Sequence, residues 1–476
     1  MRSILYIGSE ALPFAATGGL GDVMGALPKA VKAQNPNIDV RAVMPLYSQI
    51  KPQWREKMKF EKSINVKLSW RNQYCGIFSL EHDGVKWYFI DNEYYFKRQR
   101  LYGEYDDAER FAFFSMASLE LMRAVGFYPE IIHCNDWQSA LAVIQLKRSY
   151  ESIEEYAKIR AVYTIHNIDY QGEYGMEILG DIFSLSASDM SIVEYHGNIN
   201  LTKGAIVCAD YVTTVSPRYA QEIQSDSFAK GLATITNMFD FKIGGVINGI
   251  DTEIYDPEHD VELVKNYSSG DICGKAVCKA ELQKELGLKA SPDTPIIAMI
   301  SRLAEHKGFS LVKEIADMLV GEDDAQVVIL GTGEQELENF FREFAQRHPG
   351  KVSATIAFDK ALSKRIYAGA DIFLMPSKSE PCGLSQMIAS RYGTVPVIHE
   401  VGGLYDTIKP YAAGGNGFTF TAFNSEDMLN TVRHAESLYH DKEKWAELVE
   451  KVMNIDFSWD VSAKTYVSLY DRVSKF

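Results

Sequence analysis

A chain of 476 residues exceeds what one hydrophobic core supports and accommodates two domains of about 200 residues each. Hydrophobic residues at 46% and charged residues at 24% exclude a disordered or coiled-coil chain. A formal charge of −15 opposes nucleic acid and anionic membrane in bulk, so any phosphate-bearing ligand needs a local cluster of cations.

The N-terminal MRSILYIGSEALP leads straight into a short strand, with too brief an apolar stretch for a signal peptide or membrane span. A cytoplasmic protein is expected. FAATGGLGDV, residues 14–23, follows, and between Arg2 and Lys29 there is no lysine or arginine. Gly19, Gly21 and Gly25 miss the dinucleotide spacing by one residue. The gap from strand to glycine is long, and Asp39 stands at the start of the next strand rather than its end, so a nicotinamide site is rejected. Gly18 and Gly19 still allow backbone N–H groups to approach an anion, with Asp22 starting a helix behind them.

Apolar β-branched runs at 38–43, 85–90, 130–133, 161–165 and 211–215 alternate with helical stretches, the pattern of a parallel α/β sheet. VINGIDTEIYDPEHD, 246–260, breaks the period with Asn-Gly and Asp-Pro and is placed as the interdomain connection. The strand pattern restarts at 296–300, 327–330, 352–357, 371–375 and 395–398. Met428, Val432, Ala435 and Tyr439 then share one helix face, and 442–454 reads as another helix. The fold class is α/β, two doubly wound Rossmann-like lobes with a cleft between them. Their bounds are 1–245 and 246–456, with a C-terminal helix at 457–476.

In open α/β sheets ligands sit outside the carboxyl ends of the strands. IIHCNDWQ, 131–138, brings His133, Asn135, Asp136 and Trp137 to one such end, and YTIHNIDYQG, 163–172, brings His166 and Asn167 to another. AMISRLAEHKG, 298–308, supplies the cations missing from the first glycine loop, Arg302 and Lys307, a guanidinium fork and an ammonium suited to a diphosphate. VVILGTGE adds a glycine turn at Gly331. MPSKSEPCGLSQM, 375–387, sets Glu380 before a helix beginning near Leu384, an acid for hydroxyls beside N–H groups for an anion. VGGLYDT, 401–407, repeats the glycine-then-helix device.

Phosphate-loop, H-E-x-x-H, G-x-S-x-G and D-x-D motifs are absent from the sequence. Six cysteines (75, 134, 208, 273, 278, 382) lack C-x-x-C pairing, so neither a disulfide framework nor a zinc site is indicated.

With SEALPF, TGGLGDV, LYGEYDDAERFAFF, HCNDWQ, TIHNIDYQG, VTTVSP, NGID, SRLAEHKG, LGTG, EPCGLSQ and FSWDVSAKTYVSLY in this order, the chain resembles the bacterial glycogen synthases and plant starch synthases, retaining glucosyltransferases of GT-B fold. The resemblance implies transfer of glucose from a nucleotide-diphosphate sugar, usually ADP-glucose, to the non-reducing end of an α-1,4-glucan, with no metal or organic cofactor. It makes Arg302 and Lys307 stabilise the departing diphosphate and Glu380 hold glucose hydroxyls. The main-chain carbonyl of His166 faces the anomeric carbon.

On the donor side it places Gly18, Gly19, Asp22, Asn248, Gly331, Cys382, Gly383, Leu384 and Ser385, with Phe358 stacking on the base. On the acceptor side it places Glu10, Asp136 and Asn167. Nucleic acid and membrane are not expected as partners; oligomeric state is unreadable.

Relatives usually carry lysine where this chain has Ala16, and many carry Arg-Phe where it has Lys378-Ser379. A UDP-glucose-preferring synthase and a catalytically weak glucan-binding homologue therefore stand beside the main reading. A third is another GT-B enzyme: a sucrose-type or lipid glycosyltransferase, or a nucleotide-sugar epimerase.

Overall fold

A computed structural model of the protein describes residues 2–323 and 325–475. Two compact units emerge, one running through Asn248 and resuming at Trp459, the other Gly249–Ser458. The first contains strands β1 Ser3–Ile7, β2 Asp39–Pro45, β3 Lys59–Leu68, β4 Arg71–His82, β5 Val85–Asp91, β6 Ile131–Asn135, β7 Arg160–Ile165, β8 Glu173–Gly175, β9 Glu194–Tyr195, β10 Asn198–Asn200, β11 Tyr211–Thr214 and β12 Ile243–Gly245. The second contains β13 Ile296–Ile300, β14 Gln326–Leu330, β15 Val352–Thr355, β16 Ile372–Met375, β17 Val395–His399 and β18 Phe418–Phe420.

The large sheet of the first unit runs β12-β11-β7-β6-β1-β2-β5-β4-β3. It is parallel from β12 to β5, and its order reverses between β1 and β6, leaving a crevice at their carboxyl ends. The antiparallel hairpin of β3 and β4 was not foreseen. Its outer strand is rich in charge, with Lys59, Lys62 and Lys67 exposed, which masks the apolar run and protects an otherwise unpaired edge. A small three-stranded sheet joins β8, β10 and β9.

In the second unit the order β15-β14-β13-β16-β17-β18 is parallel throughout. This is the doubly wound arrangement, with its reversal between β13 and β16. The strand cores carry almost no exposed side chain: Ile296, Ile297 and Ala298 are fully buried, as are Val327, Ile329, Ile372, Phe373, Val395 and Val397. Helices Phe309–Gly321, Ser425–His440 and Lys442–Met453 cover the faces, and Met428, Val432, Ala435 and Tyr439 are buried together as their spacing requires. Among the described residues, no helix is long and apolar enough to cross a membrane. All six cysteines are free thiols.

The C-terminal helix Trp459–Val473 packs on the helix Gly19–Gln34 and enters the first unit's core. Tyr470 is fully buried, its hydroxyl 2.9 Å from that of Tyr6 and 2.7 Å from Nδ1 of His133. His133 continues the chain through Nε2 to Thr164 Oγ1 at 2.6 Å, and Thr164 meets Thr213 at 2.6 Å. Burial lowers the His133 imidazole to about 3, so it is a neutral core residue rather than part of the strand-end cluster the sequence suggested. Tyr470→Phe leaves two buried polar atoms without a partner. We expect it to lower unfolding stability by about 1–3 kcal/mol. The denaturant midpoint measures this, and an unchanged midpoint would show that apolar packing alone holds the helix.

Candidate active site

In the first unit the crevice is built by the residues just beyond β1, β6 and β7. Glu10, three positions past β1, is 2% exposed, and both of its carboxylate oxygens are engaged. Oε2 accepts the Thr17 N–H at 2.7 Å and the Thr17 hydroxyl at 2.8 Å, while Oε1 accepts the Gly21 N–H at 3.1 Å. Gly18 also donates its N–H to this carboxylate. Burial raises the Glu10 carboxyl, and these donors pull it back down. Glu10 thus anchors the glycine loop.

The loop's helix starts at Gly19, three residues earlier than expected; Asp22 lies in its first turn and Gly18 caps it without a side chain. Of the two glycines expected to offer N–H groups to the donor, Gly18 gives its own to Glu10. Gly19 has open space where a side chain would be. A methyl on Gly21 would lie 2.2 Å from the Ala16 methyl, and one on Gly25 would lie 2.6 Å from the Leu12 carbonyl. The glycine spacing therefore reflects close packing of helix against loop. Glu10 and Asp22 stand beside it and Ala16 takes the place of a cation, so the loop brings no positively charged side chain of its own to a phosphate.

Asp136 follows β6 with φ 56° and ψ 177°, a region that costs a non-glycine residue about 1–3 kcal/mol. What holds it there is visible: its N–H donates to the Thr164 carbonyl at 2.9 Å, and its Oδ1 accepts the His166 N–H at 2.8 Å. Asn167 adds a second backbone N–H to the same carboxylate. Asp136 thereby fixes the turn that carries His166. Asn135, which the sequence places at the same strand end, donates its amide to the Ile7 carbonyl at 3.3 Å and the His133 carbonyl at 3.2 Å. Its oxygen must then accept from His166 Nε2 at 3.0 Å, which assigns the proton to Nε2. Burial holds the His166 ring neutral, down to about 3.

Asn167 uses its side-chain oxygen on the Asp169 N–H at 2.9 Å. Asn248 is 6% exposed with a buried oxygen lacking any partner among the described residues. Tyr102, also unforeseen, bonds Ser9 at 2.8 Å beside Glu10.

In the second unit, Arg302 and Lys307 follow β13, and Glu380 follows β16, the two strands that flank the reversal. Lys307 Nζ donates to Glu380 Oε2 at 2.7 Å, and Ser377 Oγ donates to the same oxygen at 3.0 Å. Glu380 is 7% exposed. Arg302 is exposed, and its guanidinium has no partner among the described residues.

The loops fit too closely for side chains: a methyl on Gly308 would lie 1.9 Å from the Pro376 carbonyl, and one on Gly331 would lie 1.8 Å from the Ser301 carbonyl. Gly402 and Gly403 press in the same way on Glu380 and Cys382. Gly383 takes φ 74°, the left-handed region that favours glycine. Gln386, fully buried and unforeseen, ties this turn by donating to the Gly383 carbonyl at 2.9 Å and the Cys382 carbonyl at 3.2 Å. Cys382 is buried, Leu384 caps the short helix Ser385–Arg391, and Ser385 bonds Tyr367. Phe358, past β15, is 84% exposed, an aromatic face unused by the fold.

One pH consequence concerns Asp136, whose carboxyl burial raises to about 7. Because the folded value lies above the ordinary carboxylate value of about 4, the folded protein keeps a proton that the unfolded chain has released. That contribution is complete below about pH 4 and drains away as pH climbs to 7. Unfolding stability is expected to fall across this window in the wild type and to change less in Asp136→Asn; equal slopes by denaturant titration would remove Asp136 as the source.

Residues 3–238 match the starch synthase catalytic domain, and residues 283–452 match the glycosyl transferases group 1 family. The glycogen synthases of Ligilactobacillus salivarius and Alkaliphilus metalliredigens are each 46% identical, over 99% and 98% of this chain and 99% of theirs. The catalytic domain of starch synthase IV from Arabidopsis thaliana, bound to ADP and acarbose, superimposes with a TM-score of 0.91 at 33% identity over 100% of both chains. A sucrose-phosphate synthase from Thermosynechococcus elongatus shares the fold, with a TM-score of 0.63 at 16% identity over 99% of both chains. By these likenesses and by its residues, the chain belongs to the glycogen synthase and starch synthase family and is a retaining glycosyltransferase.

Proposed function

We propose that the protein extends an α-1,4-glucan by transferring glucose, with retention, from ADP-glucose to the non-reducing-end 4-hydroxyl. The observation that carries this reading is the Lys307–Glu380–Ser377 cluster with the open guanidinium of Arg302, at the reversal of the second sheet. A sheet reversal is where such folds bind ligands. A cation pair there suits a diphosphate, and a carboxylate beside it suits sugar hydroxyls. The ADP and acarbose carried by the Arabidopsis starch synthase support a nucleoside diphosphate and an oligosaccharide as the ligand classes.

Without donor, Lys307 and Glu380 neutralise each other at 2.7 Å. Arrival of a diphosphate gives Lys307 a more highly charged partner, and Glu380, relieved of it, accepts the hydroxyls of the transferred glucose. As the glycosidic bond breaks, negative charge grows on the leaving phosphate, where Arg302 and Lys307 stabilise it. Positive charge grows at the anomeric carbon, a place the family resemblance gives to a main-chain carbonyl, that of His166. The turn braced by Asp136 and the neutral ring held by Asn135 keep that carbonyl aimed. A protonated imidazole at this point would oppose the same charge. Phe358 offers its exposed face to the adenine; stacking admits uracil as well, so the donor comparison below decides between them.

Arg302→Ala is expected to lower kcat by roughly 10²–10³-fold in an assay of glycogen elongation. Glu380→Gln separates binding from chemistry: turnover falls by orders of magnitude while ADP binds more tightly, because Lys307 no longer has a competing carboxylate. Weaker ADP binding in calorimetry would show that the pair does not exchange. Ala16→Lys should lower the donor KM, since one charge-assisted bond contributes about 1.5–3 kcal/mol. An unchanged KM would mean that the glycine loop does not touch phosphate. The overall reading is tested with purified protein, glycogen and either ADP-glucose or UDP-glucose. Release of ADP only when glycogen is present supports it, a preference for UDP-glucose would overturn the donor, and glycogen binding without polymer growth would leave a glucan-binding protein.

A further inference from the structure

We propose that His399 works as a doubly protonated imidazolium and is a positioning residue for the loop that carries Glu380, an inference resting on the role given to Glu380 above. His399 closes β17 and is 6% exposed. Its Nδ1 lies 2.8 Å from the Ser377 carbonyl oxygen and its Nε2 3.2 Å from the Thr421 carbonyl oxygen. Carbonyl oxygens only accept. A neutral imidazole has one N–H and would turn a lone pair onto the other carbonyl, whereas the imidazolium donates to both. Phe420 and Phe423 hold the ring in place, with centroids 5.2 and 5.3 Å away.

The tether matters because of what Ser377 does. Its hydroxyl donates to Glu380 Oε2, the oxygen that also holds Lys307. Fixing the Ser377 carbonyl from behind fixes the hydroxyl in front, and with it the direction of the carboxylate. The ionisable groups around this point are few. The 376–380 loop contributes Lys378 and Glu380; Lys378 donates its N–H to the His306 carbonyl and sets its ammonium 6.0 Å over Phe423. Lys307 is paired with Glu380, and Glu400, next along from His399, accepts from Thr419 at 2.6 Å. The segment 421–423 brings no ionisable side chain.

As pH rises, the second proton leaves, one of the two carbonyl bonds is lost, and the Ser377–Glu380 contact loosens. The catalysed rate should therefore fall on the alkaline side for a reason that lies behind the donor site rather than in it.

The direct measurement is the nitrogen NMR spectrum of imidazole-labelled wild-type enzyme, with the His399→Gln spectrum assigning the signal. Both His399 nitrogens should be protonated near pH 6, and one should lose its proton with rising pH. A ring with one bare nitrogen near pH 6 would overturn the proposal. In pH profiles of kcat/KM, His399→Arg, which keeps N–H donors at every pH, should flatten the alkaline limb. His399→Gln should lower kcat roughly tenfold and abolish the limb. A wild-type limb retained in both variants would overturn the proposal as well. If instead Glu380→Gln turned over normally, the role of Glu380 would fall while the NMR result on His399 stood.

Discussion

A parallel sheet whose strand order reverses beside its first strand must open a crevice at the reversal, because the two neighbouring loops leave in opposite directions. Both units are built on this constraint, and Glu10, Asp136, Arg302, Lys307 and Glu380 all lie one to seven positions past a strand that borders a reversal. In the second unit the borders are β13 and β16, which deliver Lys307 and Glu380 to each other at 2.7 Å. In the first they are β1 and β6, which deliver Glu10 and Asp136. The glycines serve this geometry. Gly308, Gly331, Gly402 and Gly403 are tolerated positions for backbone against backbone, where any methyl would fall within 2.2 Å of a carbonyl oxygen.

Fixed direction is the second theme, and it comes from the backbone as much as from side chains. His166 is aimed by its own N–H on Asp136 and by Nε2 on Asn135, whose amide is in turn oriented by two main-chain carbonyls. Glu380 is aimed by Ser377 and Lys307, and the turn after it by Gln386. Such supporting contacts hold a reacting group in one orientation without adding charge to it. The strain at Asp136, with φ 56°, is tolerated because three backbone bonds determine its position.

How much of this the sequence reveals follows from the kind of signal each feature leaves. Parallel strands buried on both faces appear as continuous apolar runs, and so β1, β13 and β17 are legible almost to the residue. The β3–β4 hairpin is not, since its lysines interrupt the run on the exposed edge. Residue type at a strand end is legible too, but its use depends on one or two positions. His133 stands inside β6 and is a core residue bonded to Tyr470. His166 stands one past β7 and faces the crevice. The contacts of Ser377, Asn135 and His399 left no signal in the sequence, because their partners, the Glu380 carboxylate, the His166 ring and main-chain carbonyls, are set by the folded chain and not by any side-chain spacing.

Charge separates what the two sets of residues are able to hold. Around the first glycine loop stand Glu10, Asp22 and Asp136, a histidine kept neutral by burial, and no lysine or arginine between Arg2 and Lys29. Carboxyl groups and carbonyls in that setting accept hydrogen bonds from hydroxyls and offer a phosphate no cation of their own. Around the second reversal stand Arg302 and Lys307, which attract phosphate and have one carboxylate to balance them. The loss of a cation at Ala16 therefore sharpens a difference already present in the chain. On the proposed reading a diphosphate finds its positive charge on Arg302 and Lys307, whereas the first loop is tied down from within by the Glu10 carboxylate.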